Sequence, residues 1–202
     1  MFLDLEFCTQ SNPDISPTLC ERILDELFLE LSHQLHIIYP TIPKITRSSI
    51  VDLDSSTLQK FSRHWIVHLP NHTLFANTND MGKFVKYFVG QLAEQIATGT
   101  LQDKRPVLSK YLFINAKQNS THANTTTCII DLGVYTRNRL FRLLGASKYG
   151  KSPSAALRIA KTNQFPFPNG FDNDKFYFPS LEQKKGNDND KSIMDSLVSQ
   201  KS

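Results

Sequence analysis

Three cysteines in 202 residues leave little for a covalently or metal-held fold. Cys8, Cys20 and Cys128 are odd in number and far apart, with no CxxC and no paired Cys/His spacing, so neither a disulfide framework nor a zinc site is expected. Reduced thiols in a cytosolic or nuclear setting are the plain reading. Glycine is sparse too, at eight residues, and no Gly-rich phosphate loop occurs, so a Walker-type NTPase is not indicated. No apolar run approaches a membrane span, so no membrane partner is expected. No segment repeats, and no secretory signal is visible, so the glycosylation-like triplets at Asn71, Asn119 and Asn124 carry no weight.

The rest of the composition is ordinary for a globular domain, with 40% hydrophobic and 21% charged residues. The length allows one sizeable core. A net charge of +4 is compatible with a polyanionic partner without requiring one.

Residues 2–7 alternate Phe2, Asp4, Glu6 with Leu3, Leu5, Phe7, the period of a strand whose Leu/Leu/Phe side faces a core. This strand begins at the first residue, which raises the expectation that N-terminal sequence is missing. Ser16 reads as an N-cap with Pro17 at the first helical position. Leu19, Ile23, Leu27, Leu31 and Leu35, widened by Leu24 and Phe28, give an amphipathic helix ending near Tyr39-Pro40. Strands are expected at Ile50–Leu53, Lys60–Leu69, Tyr111–Ile114 and Cys128–Leu132. A second helix, capped by Asp80, buries Phe84, Val85, Phe88, Val89, Leu92 and Ile96. Residues 116–126 read as a loop, and Leu140–Leu144 as a further strand or short helix. Residues 1–180 are expected to form one α+β domain, and the polar stretch 181–202 a disordered tail.

Residues two apart on a strand share a face, so Asp4 and Glu6 project together, and Asp131 closes another strand. Converging carboxylates hold hard cations such as Mg²⁺ or Mn²⁺, although a solvated acidic strand face fits the same pattern. Alternation also puts Lys60, Ser62 and His64 on one side of their strand, with Arg63 breaking the apolar pattern of the other side. Lysine, hydroxyl and imidazole can together bind phosphate oxygens, and an open sheet face with a structural histidine reads equally well. Arg137, Arg139 and Arg142, followed by Lys148 and Lys151, form the densest positive stretch. Arginine forks suit triphosphate or nucleic-acid phosphate, while a charge run is more often a solvated face.

Four stretches of this kind resemble the archaeo-eukaryotic primase superfamily, in its eukaryotic primase-polymerase branch. They are Phe2–Phe7, Leu53–Ser56, Lys60–His64 and Ile130–Arg139, continuing through Phe141-Arg-Leu143 and Ser147-Lys148. The superfamily's motifs are a carboxylate pair on a strand, a Ser-x-His strand and a hydrophobic-Asp strand. The last long stretch is the most specific, and the likeness extends over roughly residues 1–180.

The resemblance implies that Asp4, Glu6 and Asp131 are the catalytic, metal-holding carboxylates, with Mn²⁺ or Mg²⁺ as cofactor. It implies that Lys60, Phe61, Ser62, Arg63 and His64 belong to a nucleotide-binding strand, and that Arg139, Leu140, Phe141, Arg142 and Lys148 add nucleotide contacts. The implied fold is a catalytic module related to the RNA-recognition motif. The implied activity is template-directed transfer from dNTP or NTP to a 3′-hydroxyl, on single-stranded DNA template and primer, serving replication restart and lesion bypass in nucleus and mitochondrion. The family's region before the first motif, its C-terminal zinc-binding region and its tail for single-stranded-DNA-binding proteins have no counterpart in these residues. Leu140 stands where the family has Asn, and Leu144-Gly-Ala-Ser replaces a more basic stretch. Extension rather than priming is therefore expected. The alternative is an inactive fragment that only binds nucleotide or single-stranded DNA.

Overall fold

The computed structural model describes residues 1–117, 125–136, 139, 141–147, 150 and 155–168. The expected tail at 181–202 lies outside them, as do Arg137, Leu140, Lys148 and Lys151.

An antiparallel sheet carries the architecture. Its strands are β1 (Phe2–Cys8), β2 (Ile50–Asp54), β3 (Lys60–Val67) and, far along the chain, β6 (Arg158–Ile159), in the order β1-β3-β2-β6. The strand period sorts their side chains into two sets. Leu3, Leu5 and Phe7 of β1, Ile50 of β2, and Trp65 and Val67 of β3 are buried in one core. Helices α1 (Pro17–Ile38) and α2 (Thr78–Ala97) close over this face, contributing Ile23, Leu24, Leu27, Leu31, Val85, Phe88 and Leu92 to the same core. Each such side chain contributes about 1.5–3 kcal/mol by leaving water. Helix α1 starts as its sequence dictates: Ser16 caps it by accepting from the Leu19 amide at 3.2 Å, with Pro17 in the first turn.

The opposite face carries Asp4, Glu6, Ser62 and His64, together with a smaller apolar cluster. Leu53, Leu157 and Ile159 form that cluster, with Val51, Ile66, Leu144 and Phe167 packed against it. A hairpin of β4 (Phe113–Asn115) and β5 (Thr126–Cys128) leads the chain back to the edge of β1. There the Glu6 amide donates to Ile129 O at 2.8 Å and the Asp131 amide donates to Asp4 O at 2.8 Å. The fold is α+β, as expected from the sequence.

Four local expectations need correction. Asn77, not Asp80, caps α2, its side chain accepting from the Asp80 amide at 2.9 Å. Tyr111 ends a short helix, α4 (Pro106–Tyr111), and the strand starts two residues later. The strand expected from Cys128 onward begins at Thr126, leaves the hairpin after Cys128, touches β1 through Ile130, and turns into a 3₁₀ segment at Leu132–Tyr135. Leu140–Leu144 holds neither strand nor helix at its described residues 141–144. Short helix α3 (Thr100–Lys104), α4 and two-residue β6 offered too few turns or alternations for a periodic signal.

Candidate active site

Strand register brings the first two sequence motifs together. In the β1–β3 ladder Asp4 sits opposite His64, Glu6 opposite Ser62 and Cys8 opposite Lys60. Directly paired residues on one face of antiparallel strands lie within side-chain reach. Asp4 Oδ1 is 3.4 Å from His64 Nε2, and Glu6 Oε2 is ion-paired with Lys60 Nζ. The backbone bond from Asp131 to Asp4 places the third motif beside the first.

Asp4 is 8% exposed and His64 3%, so the reading of this face as a merely solvated one does not hold for them. Asp131 folds its own turn: its Oδ1 accepts from the Gly133 amide at 2.7 Å. A side chain on Gly133 would put its Cβ 2.9 Å from that oxygen, so the glycine permits the bond. The same turn is pinned from behind. Tyr135 donates its hydroxyl proton to Phe2 O at 2.7 Å. A Cβ on Gly82 of α2 would meet Tyr135 Cβ at 2.7 Å, so helix and turn meet at a glycine. Burial pushes the Tyr135 phenol far above its ordinary value, with the Asp4 and Asp131 carboxylates adding to it, so it acts as a fixed donor.

Arg142 enters from the other side. Its Nη2 is 2.9 Å from Ser55 Oγ and 3.2 Å from His64 Nε2, and its Nη1 donates to Ala155 O at 3.2 Å. Burial lowers its pKa, against the opposing pull of Asp4 and Glu6. Thus His64 Nε2 faces an anion and a cation at once, and the position of one ring proton decides which of them it bonds. Ser55, just beyond β2, also bonds Ser62: the two hydroxyl oxygens are 3.0 Å apart.

These groups border an open cavity of about 1090 Å³, whose walls include Glu6, Ser55, Lys60, Ser62, Asp131 and Arg142. A drug-sized or nucleotide-sized ligand fits that space. The Phe141 ring lies tilted against two others, 4.4 Å from the Phe2 ring and 4.9 Å from the His64 ring.

Not every sequence candidate arrives there. Arg63 points to the helix-covered face, where it pairs with Asp52 at 2.9 Å and with Glu21 of α1. Phe61 shares that side and stacks on Phe7 at 4.8 Å. Arg139 is exposed and bonds Thr136 Oγ1 at 3.1 Å. Leu140 and Lys148 lie outside the described residues. The reading from sequence assigned no role to Ser55, Gly82 or Tyr135. Ser55 and Tyr135 carried a signal, since they lie inside the Leu53–Ser56 and Ile130–Arg139 stretches.

No protein-family model matches the chain. Curated proteins do. The DNA-directed primase/polymerase protein of Danio rerio is 28% identical over 177 residues, covering 82% of this chain and 32% of its own length. That of Gallus gallus is 28% identical over 216 residues, covering 82% and 35%, and that of Homo sapiens 26% over 219 residues, covering 83% and 36%. The chain is a distant relative of the DNA-directed primase/polymerase proteins. It spans about a third of the length of the relatives it matches.

For this primase/polymerase relative, the donor set decides whether a metal is chemically plausible. Asp4, Glu6 and Asp131 offer carboxylate oxygens, the ligands that hard divalent cations take. In the described residues they are turned to other partners: His64, Lys60 and the Gly133 amide. No group of three His, Cys, Asp or Glu side chains among the described residues is gathered for a metal. The residue types suit a divalent cation, while the described contacts of Asp4, Glu6 and Asp131 are to protein groups. Among the described residues no helix is long and apolar enough to cross a membrane.

Proposed function

We propose that these residues form part of the catalytic core of a DNA primase/polymerase, joining dNTP or NTP to a primer 3′-hydroxyl on a single-stranded DNA template. In that reaction the hydroxyl oxygen bonds the α-phosphorus, the bond to pyrophosphate breaks, and the hydroxyl proton is released. The observation that carries the reading is the register that sets Asp4 and Glu6 against His64 and Ser62, with Asp131 bonded alongside. Asp4 and Glu6 thus share a sheet face with Lys60, Ser62 and His64, and Asp131 lies beside the edge of β1.

Asp4, Glu6 and Asp131 would hold Mn²⁺ or Mg²⁺. When bound, such a cation neutralises charge on the transferring phosphate. Lys60, Ser62, His64 and Arg142 would bind phosphate oxygens through charge-assisted hydrogen bonds. Lys60 would leave Glu6 for the ligand, so substrate and metal enter by exchanging one ion pair for another. Replication restart, lesion bypass and action in nucleus and mitochondrion belong to the same proposal and rest on the sequence resemblance alone.

Primer extension on a single-stranded template with Mn²⁺ and dNTPs tests it. The chain is expected to extend the primer, and folded Asp131→Ala to lose the activity by several kcal/mol of transition-state stabilisation, roughly a hundredfold or more. Equal extension by the two would overturn the assignment. A second reading, nucleotide or single-stranded-DNA binding without turnover, draws on the Lys60–Glu6 pair that occupies a carboxylate. Binding with no extension by the wild-type chain would favour it.

A further inference from the structure

Ser55 is 5% exposed and Ser62 2%, so both hydroxyls are buried at the cavity wall, where each needs a hydrogen-bonding role. A guanidinium can only donate. Ser55 Oγ therefore accepts from Arg142 Nη2 at 2.9 Å. The single Ser55 proton then goes to Ser62 Oγ at 3.0 Å. Ser62 Oγ, having accepted, still holds its own proton, and among the described residues it donates that proton to no protein acceptor. The β2–β3 connection is braced around this pair: the Ser55 amide donates to Ser62 O at 2.9 Å and the Ser62 amide to Ser56 Oγ at 3.0 Å.

Polarity along the chain of bonds is thus set from its cationic end, and each bond strengthens the next. We infer that Ser55 is a positioning residue, relaying the polarity of Arg142 so that Ser62 offers a proton, not a lone pair, to an anionic phosphate oxygen in the cavity. This inference rests on the nucleotide reading above. Without the Ser55 hydroxyl, Ser62 would be free to turn its proton away, and Arg142 would lose one of the contacts that fixes its fork.

Calorimetric titration of dATP and of inorganic triphosphate, with a melting curve for each variant, tests the relay. Ser55→Ala is expected to bind both probes about tenfold more weakly, the weight of one hydrogen bond to a charged group, in protein that stays folded at the titration temperature. Ser55→Thr, which keeps the hydroxyl, should bind within about twofold of wild type, and Ser55→Ala added to Arg142→Gln should cost less than about twofold more. A role confined to packing would leave the affinity of the folded fraction intact, which would overturn the inference. Should Ser55→Ala fail to fold, Ser55→Cys keeps the volume with a weak donor and must show the loss; wild-type affinity there would also overturn it. Triphosphate binding by the wild-type chain without dATP binding would sink the nucleotide reading and leave the relay standing. Binding of neither would sink both.

Discussion

The two faces of the sheet are built from alternate residues of the same strands, yet they treat charge in opposite ways. On the helix-covered face, Arg63 is enclosed and held by two carboxylates, Asp52 and Glu21, amid Trp65, Leu3 and Leu5. On the other, Glu6, Lys60 and Ser62 line the open cavity, with Asp4 and His64 buried beside them on the same face. A charge sealed in a core must be matched within the protein, because its desolvation is otherwise uncompensated. A charge at a cavity wall can be matched by whatever enters. The contrast explains why Arg63, one residue from Ser62 and His64, serves the fold while its neighbours serve the candidate site.

The largest expected effect lies on the packed face. Trp65 is fully buried, and Trp65→Ala should cost about 4 kcal/mol in urea denaturation. A loss below about 1 kcal/mol would mean that this face is not where the fold is held.

Next comes the buried pair. Burial pushes the Asp52 carboxyl up to about 6, against the pull of Arg63 and Arg47. The folded value lies above the unfolded one, so this group's stabilising contribution is fully present below pH 3.8 and is lost as pH rises through about 6. Melting of wild type against Asp52→Asn between pH 4 and 7 should show the wild-type advantage shrinking as pH rises, on the order of 2 kcal/mol in all. An advantage that grows with pH would show that the ion pair with Arg63 outweighs burial.

The smallest effect on stability belongs to the open face. Lys60 and Glu6 are each about a third exposed at their side chains, and Lys60→Ala should change stability by less than about 1 kcal/mol. It should also tighten Mn²⁺ binding measured without nucleotide, because Glu6 is released. Unchanged Mn²⁺ affinity would remove Glu6 from the ligand set.

The sequence carried the faces better than the ends. Period-two alternation in Phe2–Phe7 and in Lys60–Leu69 told which residues of β1 and β3 face the core, and the spacing of Ile23, Leu27 and Leu31 gave α1. It could not give register, because nothing local fixes Asp4 opposite His64; that pairing is a tertiary fact. Arg63 marked itself as an exception in an apolar row, but its partners Asp52 and Glu21 lie on other elements. Tyr111 read as strand because its bulky neighbours suit a strand as well as a short helix. Ser55 lay inside a recognisable stretch, but its role stayed hidden because a serine beyond a strand looks like any turn residue until Arg142, 87 positions away, is seen against it.

The most direct test of the division between the two faces is Ser62→Ala, with primer extension and melting measured on one preparation alongside wild type. The account predicts extension slowed at least about tenfold in protein that stays folded at the assay temperature, since Ser62 lines the cavity. Extension at the wild-type rate, or a loss that follows the melt, would contradict it.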